Sequence, residues 1–227
     1  MNHGLISEQS LNTPLYMAPS AWVEHIPFAF SLIEKLRPKL IVELGVHYGV
    51  SYFSFCQAVK LNSLNATCYA VDNWKGDEHA GFYDETIFEL VKTYNSEHYA
   101  EFSYLLKCNF DEALTYFEDK SIDLLHIDGL HTYEAVKYDF EAWLPKLSEN
   151  AVVLFHDISV REKGFGVFRL WEELVARFPS FAFTHGYGLG VLLIGKNHSK
   201  EILSIISQNE EHNISLIRNY FHRLGSL

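Results

Sequence analysis

The sequence predicts an α/β protein built on a doubly wound, mostly parallel β-sheet, and three observations lead to this fold class. Five apolar runs of strand length alternate with segments whose apolar residues recur at steps of three and four, as on one face of a helix. The first run, residues 39–46, is almost continuously apolar, which is typical of a strand buried on both faces. Near the end, two apolar runs around three closely spaced glycines predict a closing hairpin. We therefore expect a Rossmann-like sheet that binds ligands at the carboxyl ends of its strands.

Strands and helices follow one another in regular order. The predicted strands are 39–46, 67–72, 102–108, 122–128 and 151–157. The predicted helices are 50–63, 83–97, 110–118, 133–147 and 167–178. In the fourth helix, for example, Tyr133, Val136 and Phe140 recur on one face. Residues 73–81 are polar and predict a loop.

The chain divides into three predicted parts. Residues 1–37 contain three prolines and predict an irregular N-terminal arm or lid with one short helix. Residues 38–195 form the α/β domain. Residues 196–227 form a C-terminal tail that is predicted to be helical over 199–224.

The composition is that of a globular, negatively charged protein. Of 227 residues, 48% are hydrophobic and 21% are charged, and the net charge is −11. A field of this sign repels phosphate backbones, so nucleic acid is not an expected partner, whereas a cationic small molecule would not be repelled. Three cysteines without metal-finger spacing indicate reduced thiols. We find no signal-peptide pattern and no run that could span a bilayer, so we expect a cytoplasmic protein without membrane contact; a homo-oligomer is compatible with the sequence.

The segment ELGVHYGVS, which ends the first strand, predicts a cofactor site. Gly45 and Gly49 let the backbone turn tightly and approach a ligand, although an ordinary strand-to-helix turn would use them equally well. The dinucleotide fingerprint G-x-G-x-x-G is absent, because position 47 is His47. Glu43 offers a carboxylate, which suits a cationic amino group or sulfonium better than a pyrophosphate. S-adenosylmethionine carries both of these positive charges and no phosphate.

Polar residues at the next strand ends extend this site. Asp72, 29 residues after Glu43, is placed to accept hydrogen bonds from ribose hydroxyls. Asn109 and Phe110 offer an amide and a ring to flank an adenine, while Trp74 either covers the adenine or belongs to the core. The predicted cofactor-binding set is Glu43, Gly45, His47, Gly49, Ser51, Asp72, Asn73, Trp74, Asn109, Phe110 and Asp128.

Two similar segments, LHIDGLH and VLFHD, predict a reactive site. Because both follow predicted strands, Asp128 and Asp157 can face one ion at the same edge of the sheet, although Asp128 could instead cap the following helix. Carboxylates suit Mg²⁺ or Mn²⁺. His156 either binds the ion directly or holds one of its ligands in place, and as a ligand its imidazole shifts the preference toward Mn²⁺, Fe²⁺ or Zn²⁺. His131, with an ordinary pKa of about 6.5, is the predicted general base.

Other polar residues nearby have less specific interpretations. His126 lies between apolar neighbours and predicts a hydrogen-bonded core histidine. His79 borders the donor or the acceptor, or is a plain loop residue. Three cations could hold an anionic acceptor but are better explained as solvated charges: Arg161, Lys163 and Arg169.

Several segments together resemble the class I S-adenosylmethionine-dependent methyltransferases over about residues 38–195. They are IVELGVHYGVS, VDNWKGDEHAGFY, SIDLLHIDGLHTYEAVKYDFEAWLPKL, VVLFHDI, GFGVFRLWEEL and HGYGLGVLLIG. The branch they resemble is associated with glycosyltransferases and glycan-modifying clusters, and is related to the macrocin-type sugar O-methyltransferases. The resemblance implies a seven-stranded sheet with a reversed last hairpin. It also implies cofactor contacts at Glu43, Gly45, Gly49, Asp72 and Asn109.

The resemblance further implies a divalent ion and a base. In the sugar O-methyltransferases, a metal-binding aspartate maps onto Asp128 and a general base onto His131. The acidic pair after the next strand reads His156-Asp157 here, so one carboxylate is replaced by an imidazole. We therefore predict catalytic roles for Asp128 and His131 and metal ligands at Asp128, His156 and Asp157, with Mg²⁺ or Mn²⁺. The predicted reaction methylates a hydroxyl of a sugar, glycan or glycosylated metabolite.

Two functions of other classes stay open at this point. An NAD-type oxidoreductase would need the glycine that position 47 lacks. A nonenzymatic nucleoside-binding module would have no use for a base, His131, beside the carboxylates of Asp128 and Asp157.

Overall fold

A computed structural model describes residues 6–206 and 211–226, in which a seven-stranded sheet is flanked by helices. Its strands are β1 (Leu40–Leu44), β2 (Thr67–Asp72), β3 (Gly76–Asp77), β4 (Gly81–Phe82), β5 (Ser103–Lys107), β6 (Ile122–Ile127), β7 (Leu147–His156), β8 (Ser180–Phe183) and β9 (Leu189–Leu193). Its helices are α1 (Ile26–Leu36), α2 (Val50–Leu61), α3 (Glu85–His98), α4 (Phe110–Ala113), α5 (Tyr133–Trp143), α6 (Val167–Val175), α7 (Lys200–Ile206) and α8 (Glu211–Gly225).

The order of the strands in the main sheet places a binding crevice at its centre. The order is β5-β2-β1-β6-β7-β9-β8. The first five strands in this order, β5, β2, β1, β6 and β7, are parallel to one another, while β9 is antiparallel to both β7 and β8. The chain leaves β1 toward one edge and returns through β6 toward the other, so ligands are expected at the carboxyl ends of β1 and β6. The predicted α/β fold, with its seven strands and reversed hairpin, is confirmed.

The central strands are buried on both faces, as their apolar sequences require. Ile41 packs in the cluster that contains α1 and α2, while Val42 and Leu44 pack in the cluster that contains α5 and α6. Side chains alternate between faces along a strand, so one short strand supplies both layers. Glu43, in the same strand, is the polar exception and is fully buried.

The N-terminal arm packs into the core. Trp22, Phe28 and Phe30 are almost completely buried, and α1 lies along α2. This packing favours an arm rather than a lid for the described part of residues 1–37. The three-part division of the chain stays a prediction.

Some predicted boundaries were wrong. The loop at 73–81 contains the short antiparallel pair β3–β4, because Gly76 and Gly81 both take positive φ and turn the chain back. Only Phe110–Ala113 of the helix predicted at 110–118 is α-helical, and β7 begins at Leu147, where a helix was expected.

The predicted C-terminal helix is described as α7 and α8. Residues 207–210, which fall inside the prediction, lie outside the described residues, as do 1–5 and 227. Across the described ranges, no helix is both long and apolar enough to cross a membrane.

Candidate active site

The main cleft opens at the carboxyl ends of β1, β2, β5 and β6, and the N-terminal part of α5 closes one side of it. A side pocket joins it at Asp128 and His131 and extends over His156, Asp157 and Phe165. The predicted residues that line the main cleft are Gly45, His47, Asp72, Asn73, Asn109, Phe110, Asp128 and His131. Gly49, Ser51, His156 and Asp157 line the side pocket instead.

The turn after β1 has a steric reason for its first glycine. Gly45 has a φ of +84°, and a Cβ there would lie 2.1 Å from the carbonyl oxygen of Asp128. The turn from β1 therefore passes directly against the end of β6. This close approach brings the turn that is predicted to bind the cofactor and the predicted catalytic residue Asp128 to the same cleft.

Asp72 organises the same turn. Its Oδ2 accepts hydrogen bonds from the backbone N–H groups of Val46 (2.8 Å) and His47 (3.0 Å), and its Oδ1 accepts one from Trp74 (2.7 Å). Each carboxylate oxygen can accept more than one hydrogen bond, so Oδ1 keeps capacity for a ligand hydroxyl. The sequence did not reveal that Asp72 also holds the backbone of the turn.

Glu43 differs from the sequence-based expectation, because it does not line the cleft. It is fully buried, and its Oε1 accepts a 2.6 Å hydrogen bond from the Ser51 hydroxyl. Its Oε2 lies 3.2 Å from Nδ1 of His126, whose Nε2 accepts a hydrogen bond from the Trp22 indole. Since an indole N–H can only donate, the proton of neutral His126 is on Nδ1 and faces Glu43. Burial raises the pKa of Glu43, and a direct ligand contact at this residue stays a prediction.

His126 is the buried, hydrogen-bonded histidine that the sequence predicted. Trp74 is only 2% exposed and donates its indole N–H to the carbonyl of His47. It therefore belongs to the core, the alternative that the sequence left open, and it does not line the main cleft. Phe110 packs against Gly129 so closely that a Cβ at Gly129 would lie 2.6 Å from the Phe110 ring.

The main cleft is strongly acidic. Among the residues that the structure describes, no lysine or arginine lines it, and five carboxylates do: Asp72, Asp77, Asp111, Asp128 and Asp139. Burial and the neighbouring Asp111 raise the pKa of Asp139 to about 7. Asp139 was missed by the sequence reasoning, although its position on α5, seven residues after Thr132, placed it within reach of the cleft.

Four side chains meet where the main cleft joins the side pocket. Nε2 of His131 lies 3.4 Å from Oδ1 of Asp128 and 2.9 Å from Oδ2 of Asp157. Nδ1 of His156 lies 3.3 Å from each of the same two oxygens. We call these residues the Asp–His cluster. The structure therefore brings together all the predicted metal ligands and the predicted base.

Neighbouring groups hold the two imidazoles of the cluster in place. Nε2 of His156 lies 2.9 Å from the carbonyl oxygen of Gly186 and donates its N–H there, so Nδ1 faces the two carboxylates. Asp128 and Asp157 raise the pKa of His156 well above its usual range, against the opposing effect of burial. The ring of His131 stacks on Phe165 with centroids 4.6 Å apart and an interplanar angle of 9°. Asp157 has a φ of 62°, a strained backbone conformation of the kind found at functional sites.

The surroundings of His131 shift its pKa away from the ordinary histidine value of about 6.5. Burial alone would lower it, but hydrogen bonds to Asp128 and Asp157 raise the pKa of His131 to about 9. His156 and His131 together hold the pKa of Asp128 well below its usual range, against the opposing effect of burial. The sequence predicted the edge of the sheet at which each residue lies. It did not predict that the carboxylates of Asp128 and Asp157 both contact the His131 imidazole.

The Asp–His cluster fits a divalent cation. Ligand bonds of about 2.0–2.2 Å place neighbouring donor atoms about 2.8–3.6 Å apart in octahedral or tetrahedral coordination. Nδ1 of His156 lies 3.3 Å from the nearest carboxylate oxygen of Asp128 and 3.3 Å from that of Asp157, and both distances fall within this range. One imidazole, that of His156, with two carboxylates suits Mn²⁺, Fe²⁺ or Zn²⁺ more than Mg²⁺.

The cations near α6 have structural partners. Arg161 donates to the carbonyl of Ile158 and lies over the ring of Phe168, and Arg169 lies over the ring of Tyr133. His79 lies in the side pocket and stacks on Phe165. The sequence pattern did not indicate that Phe165 and His25 lie near the site, because neither belongs to a polar segment that follows a strand.

Comparison with known proteins identifies the class. A family model described as a methyltransferase domain matches residues 42–158, just over half of the chain, so the chain belongs to this methyltransferase family. The uncharacterised protein y4gI of Sinorhizobium fredii is 55% identical over 187 residues, which are 82% of this chain and 20% of that protein. The chain thus spans about a fifth of the length of this curated relative.

Solved structures show the same fold at low identity. TomG of Streptomyces achromogenes, an O-methyltransferase involved in tomaymycin synthesis and solved with S-adenosylmethionine, is 14% identical (85% of this chain, 92% of that chain, TM-score 0.56). An O-methyltransferase from Bacillus cereus, solved with S-adenosylhomocysteine, is 13% identical (84% and 92%, TM-score 0.56). A methyltransferase from Geobacter sulfurreducens is 16% identical (82% and 83%, TM-score 0.59).

Proposed function

We propose that this protein transfers the methyl group of S-adenosylmethionine to a hydroxyl oxygen, with the help of a divalent cation. The observation that carries the proposal is an acidic cleft without lysine or arginine that opens onto the Asp–His cluster. A sulfonium cofactor gains from five nearby carboxylates, whereas the pyrophosphate of a dinucleotide would be repelled by them. The family and the cofactors bound to the two O-methyltransferase neighbours support the same donor.

The residues of the main cleft suit the parts of this donor. We assign Asp72 to the ribose hydroxyls, through the acceptor capacity that remains on Oδ1, and Asn109 and Phe110 to the adenine. Gly45 and His47 lie between Asp72 and Asp128, where the methionine part would pass. Glu43 supports this turn from the buried side, where it accepts a hydrogen bond from Ser51 at the start of α2.

The Asp–His cluster supplies the chemistry at the acceptor. A cation held by Asp128, His156 and Asp157 would lower the pKa of a substrate hydroxyl that binds it. His131 is placed to take the hydroxyl proton on Nε2, because it reaches the same carboxylates from the side-pocket face. A cation competes with the proton that the two carboxylates otherwise hold on His131, so its presence favours the neutral, basic imidazole.

The acceptor is assigned to the side pocket. Phe165 and Tyr187 line it, and aromatic faces of this kind support stacking of a sugar ring. This feature and the resemblance to sugar O-methyltransferases favour a hydroxyl on a sugar, glycan or glycosylated metabolite. A soluble cytoplasmic location and a homo-oligomeric state are part of the same proposal.

Calorimetry with S-adenosylhomocysteine tests the donor. The wild-type protein should bind it, NADH should give no heat of binding, and Asp72→Ala should lose at least tenfold in affinity. Asp119→Ala, which removes an exposed carboxylate far from the cleft, is the matched control and should bind normally. Preference for NADH, or full affinity in Asp72→Ala, would contradict the assignment.

A further inference from the structure

A second group of potential metal ligands lies outside the active site. Glu24, His185 and His222 each present one donor atom within 4.8 Å of the other two. They come from three distant parts of the chain: the turn before α1, the loop between β8 and β9, and α8. We propose that these three side chains form a transition-metal site, with Zn²⁺ as the typical occupant.

The contacts within the group support a ligand role. Nδ1 of His222 lies 3.2 Å from Oε2 of Glu24, close to the spacing of about 3.3 Å between donors on a tetrahedral zinc ion. Nε2 of His185 is buried and has no hydrogen-bond partner. An exposed Glu–His pair contributes little by itself and does not account for the third imidazole packed against it, that of His185, whose Nε2 is left without a hydrogen-bond partner. The rings of His185 and His222 lie 4.9 Å apart, so a small rotation of the exposed His222 brings the donors together.

The ligand chemistry selects the metal. Two imidazoles and one carboxylate favour Zn²⁺, Cu²⁺ or Ni²⁺ over Mg²⁺ and Ca²⁺, which prefer oxygen ligands. Three protein ligands leave one position for water. A bound ion would connect α8 and the arm to the loop at His185, next to Gly186.

This site borders the catalytic one without sharing a ligand. His25 stacks near His185, with ring centroids 4.8 Å apart, and its Nε2 lies 3.2 Å from the carbonyl oxygen of Gly186. The same oxygen lies 2.9 Å from Nε2 of His156. A Cβ at Gly186 would lie 2.8 Å from Nε2 of His25, so only glycine fits at this position between the proposed metal site and the Asp–His cluster. An ion at the proposed site would therefore stabilise the loop that orients a ligand of the Asp–His cluster.

Zinc calorimetry separates the two sites when the Asp–His cluster is disabled by Asp128→Asn together with Asp157→Asn. In this background Zn²⁺ should still bind, and adding His222→Ala should lower the zinc stoichiometry by one per chain. His222 is exposed, so its replacement should leave the fold intact. His98→Ala is the matched control, because His98 also lies near a glutamate but has no third ligand; it should leave zinc binding unchanged. Mg²⁺ should give no heat at this site.

Thermal unfolding gives a second readout, since an ion that binds only the folded chain raises Tm. Zn²⁺ should raise the Tm of the background variant and should not raise that of the same variant with His222→Ala. Equal zinc stoichiometry and equal Tm shifts with and without His222 would overturn the proposal.

Discussion

Individual residues in this protein often serve the fold and the site at once. Asp72 holds the backbone of the turn after β1 with three hydrogen bonds and still faces the main cleft. Gly45 is needed for its φ and also for the contact of its Cα with the end of β6. A substitution at either residue therefore changes stability and ligand binding together, and matched controls are needed to separate the two effects.

Gly45→Ala should destabilise the protein more than Gly81→Ala. The two glycines have nearly the same φ, +84° and +83°, so the backbone strain of about 1–3 kcal/mol is common to both. A Cβ at Gly45 lies 2.1 Å from a backbone oxygen, whereas one at Gly81 meets nothing within 4 Å. Urea unfolding should show the larger loss for Gly45→Ala, with weaker S-adenosylhomocysteine binding. Equal losses would mean that the close approach to Asp128 relaxes without cost.

His131→Ala should lose about 10²–10⁴-fold in turnover. The imidazole is the base that the proposed reaction requires, while the proposed ribose and adenine contacts belong to other residues. Turnover can be followed as release of S-adenosylhomocysteine with any accepted hydroxyl substrate. His98→Ala is the control and should keep full activity. If His131→Ala instead abolishes donor binding, its role belongs to the cofactor and not to the acceptor.

At the scale of elements, the reactive site depends on the pairing of β6 with β7. The two strands run parallel with His126 opposite Leu154 and Ile127 opposite Phe155, so the residues that follow them come together at one edge. Asp128 and Asp157 follow the ends of these strands, and His131 enters from the start of the next helix. Neither strand alone brings two carboxylates to one point.

Asp128→Asn and Asp157→Asn should each abolish Mn²⁺ binding at the Asp–His cluster. The double variant should be no worse than either single one, because groups that act as a unit are not additive. The loss can be measured as free Mn²⁺ by electron paramagnetic resonance, and EDTA should suppress activity that Mn²⁺ restores. Asp157→Asn should still bind S-adenosylhomocysteine, since Asp157 does not line the main cleft. Full activity in exhaustive chelator would make the cluster a metal-free acid–base site, with Asp128 orienting His131.

For the whole molecule, charge is the property that most constrains the ligand. The net charge of −11 and the five cleft carboxylates act in the same direction. Such a field raises the local concentration of a cation and lowers that of a phosphate-bearing ligand. The acidic composition and the acidic cleft thus both favour the proposed methyl donor, the positively charged S-adenosylmethionine.

Salt should weaken binding of S-adenosylmethionine more than binding of S-adenosylhomocysteine. The two ligands differ by one methyl group and one positive charge, so their comparison isolates the electrostatic contribution. Raising the ionic strength from about 0.01 to about 1 M shortens the screening length from about 30 to about 3 Å. Calorimetry at both salts should show a several-fold larger affinity loss for S-adenosylmethionine. Equal salt dependence would show that the cleft carboxylates are neutralised or do not face the sulfonium.

The sequence by itself determined the order of the elements, the fold class and the edge of the sheet that carries the site. These follow from local patterns, because apolar periodicity decides which segments are strands, and the carboxyl ends of parallel strands share one edge. Asp72, Asn109, Asp128, His131 and Asp157 could all be found in this way.

Only the tertiary structure decided which atoms each side chain meets. Glu43 is buried because His126 and Ser51 reach it from other elements. The pKa of His131 is raised because Asp128, after β6, and Asp157, after β7, both contact its imidazole. The grouping of Glu24, His185 and His222 is likewise invisible in sequence, since it joins residues 24, 185 and 222. Burial, pKa and ligand grouping depend on distances between parts of the chain far apart in sequence, and those distances exist only once the sheet and its helices have packed.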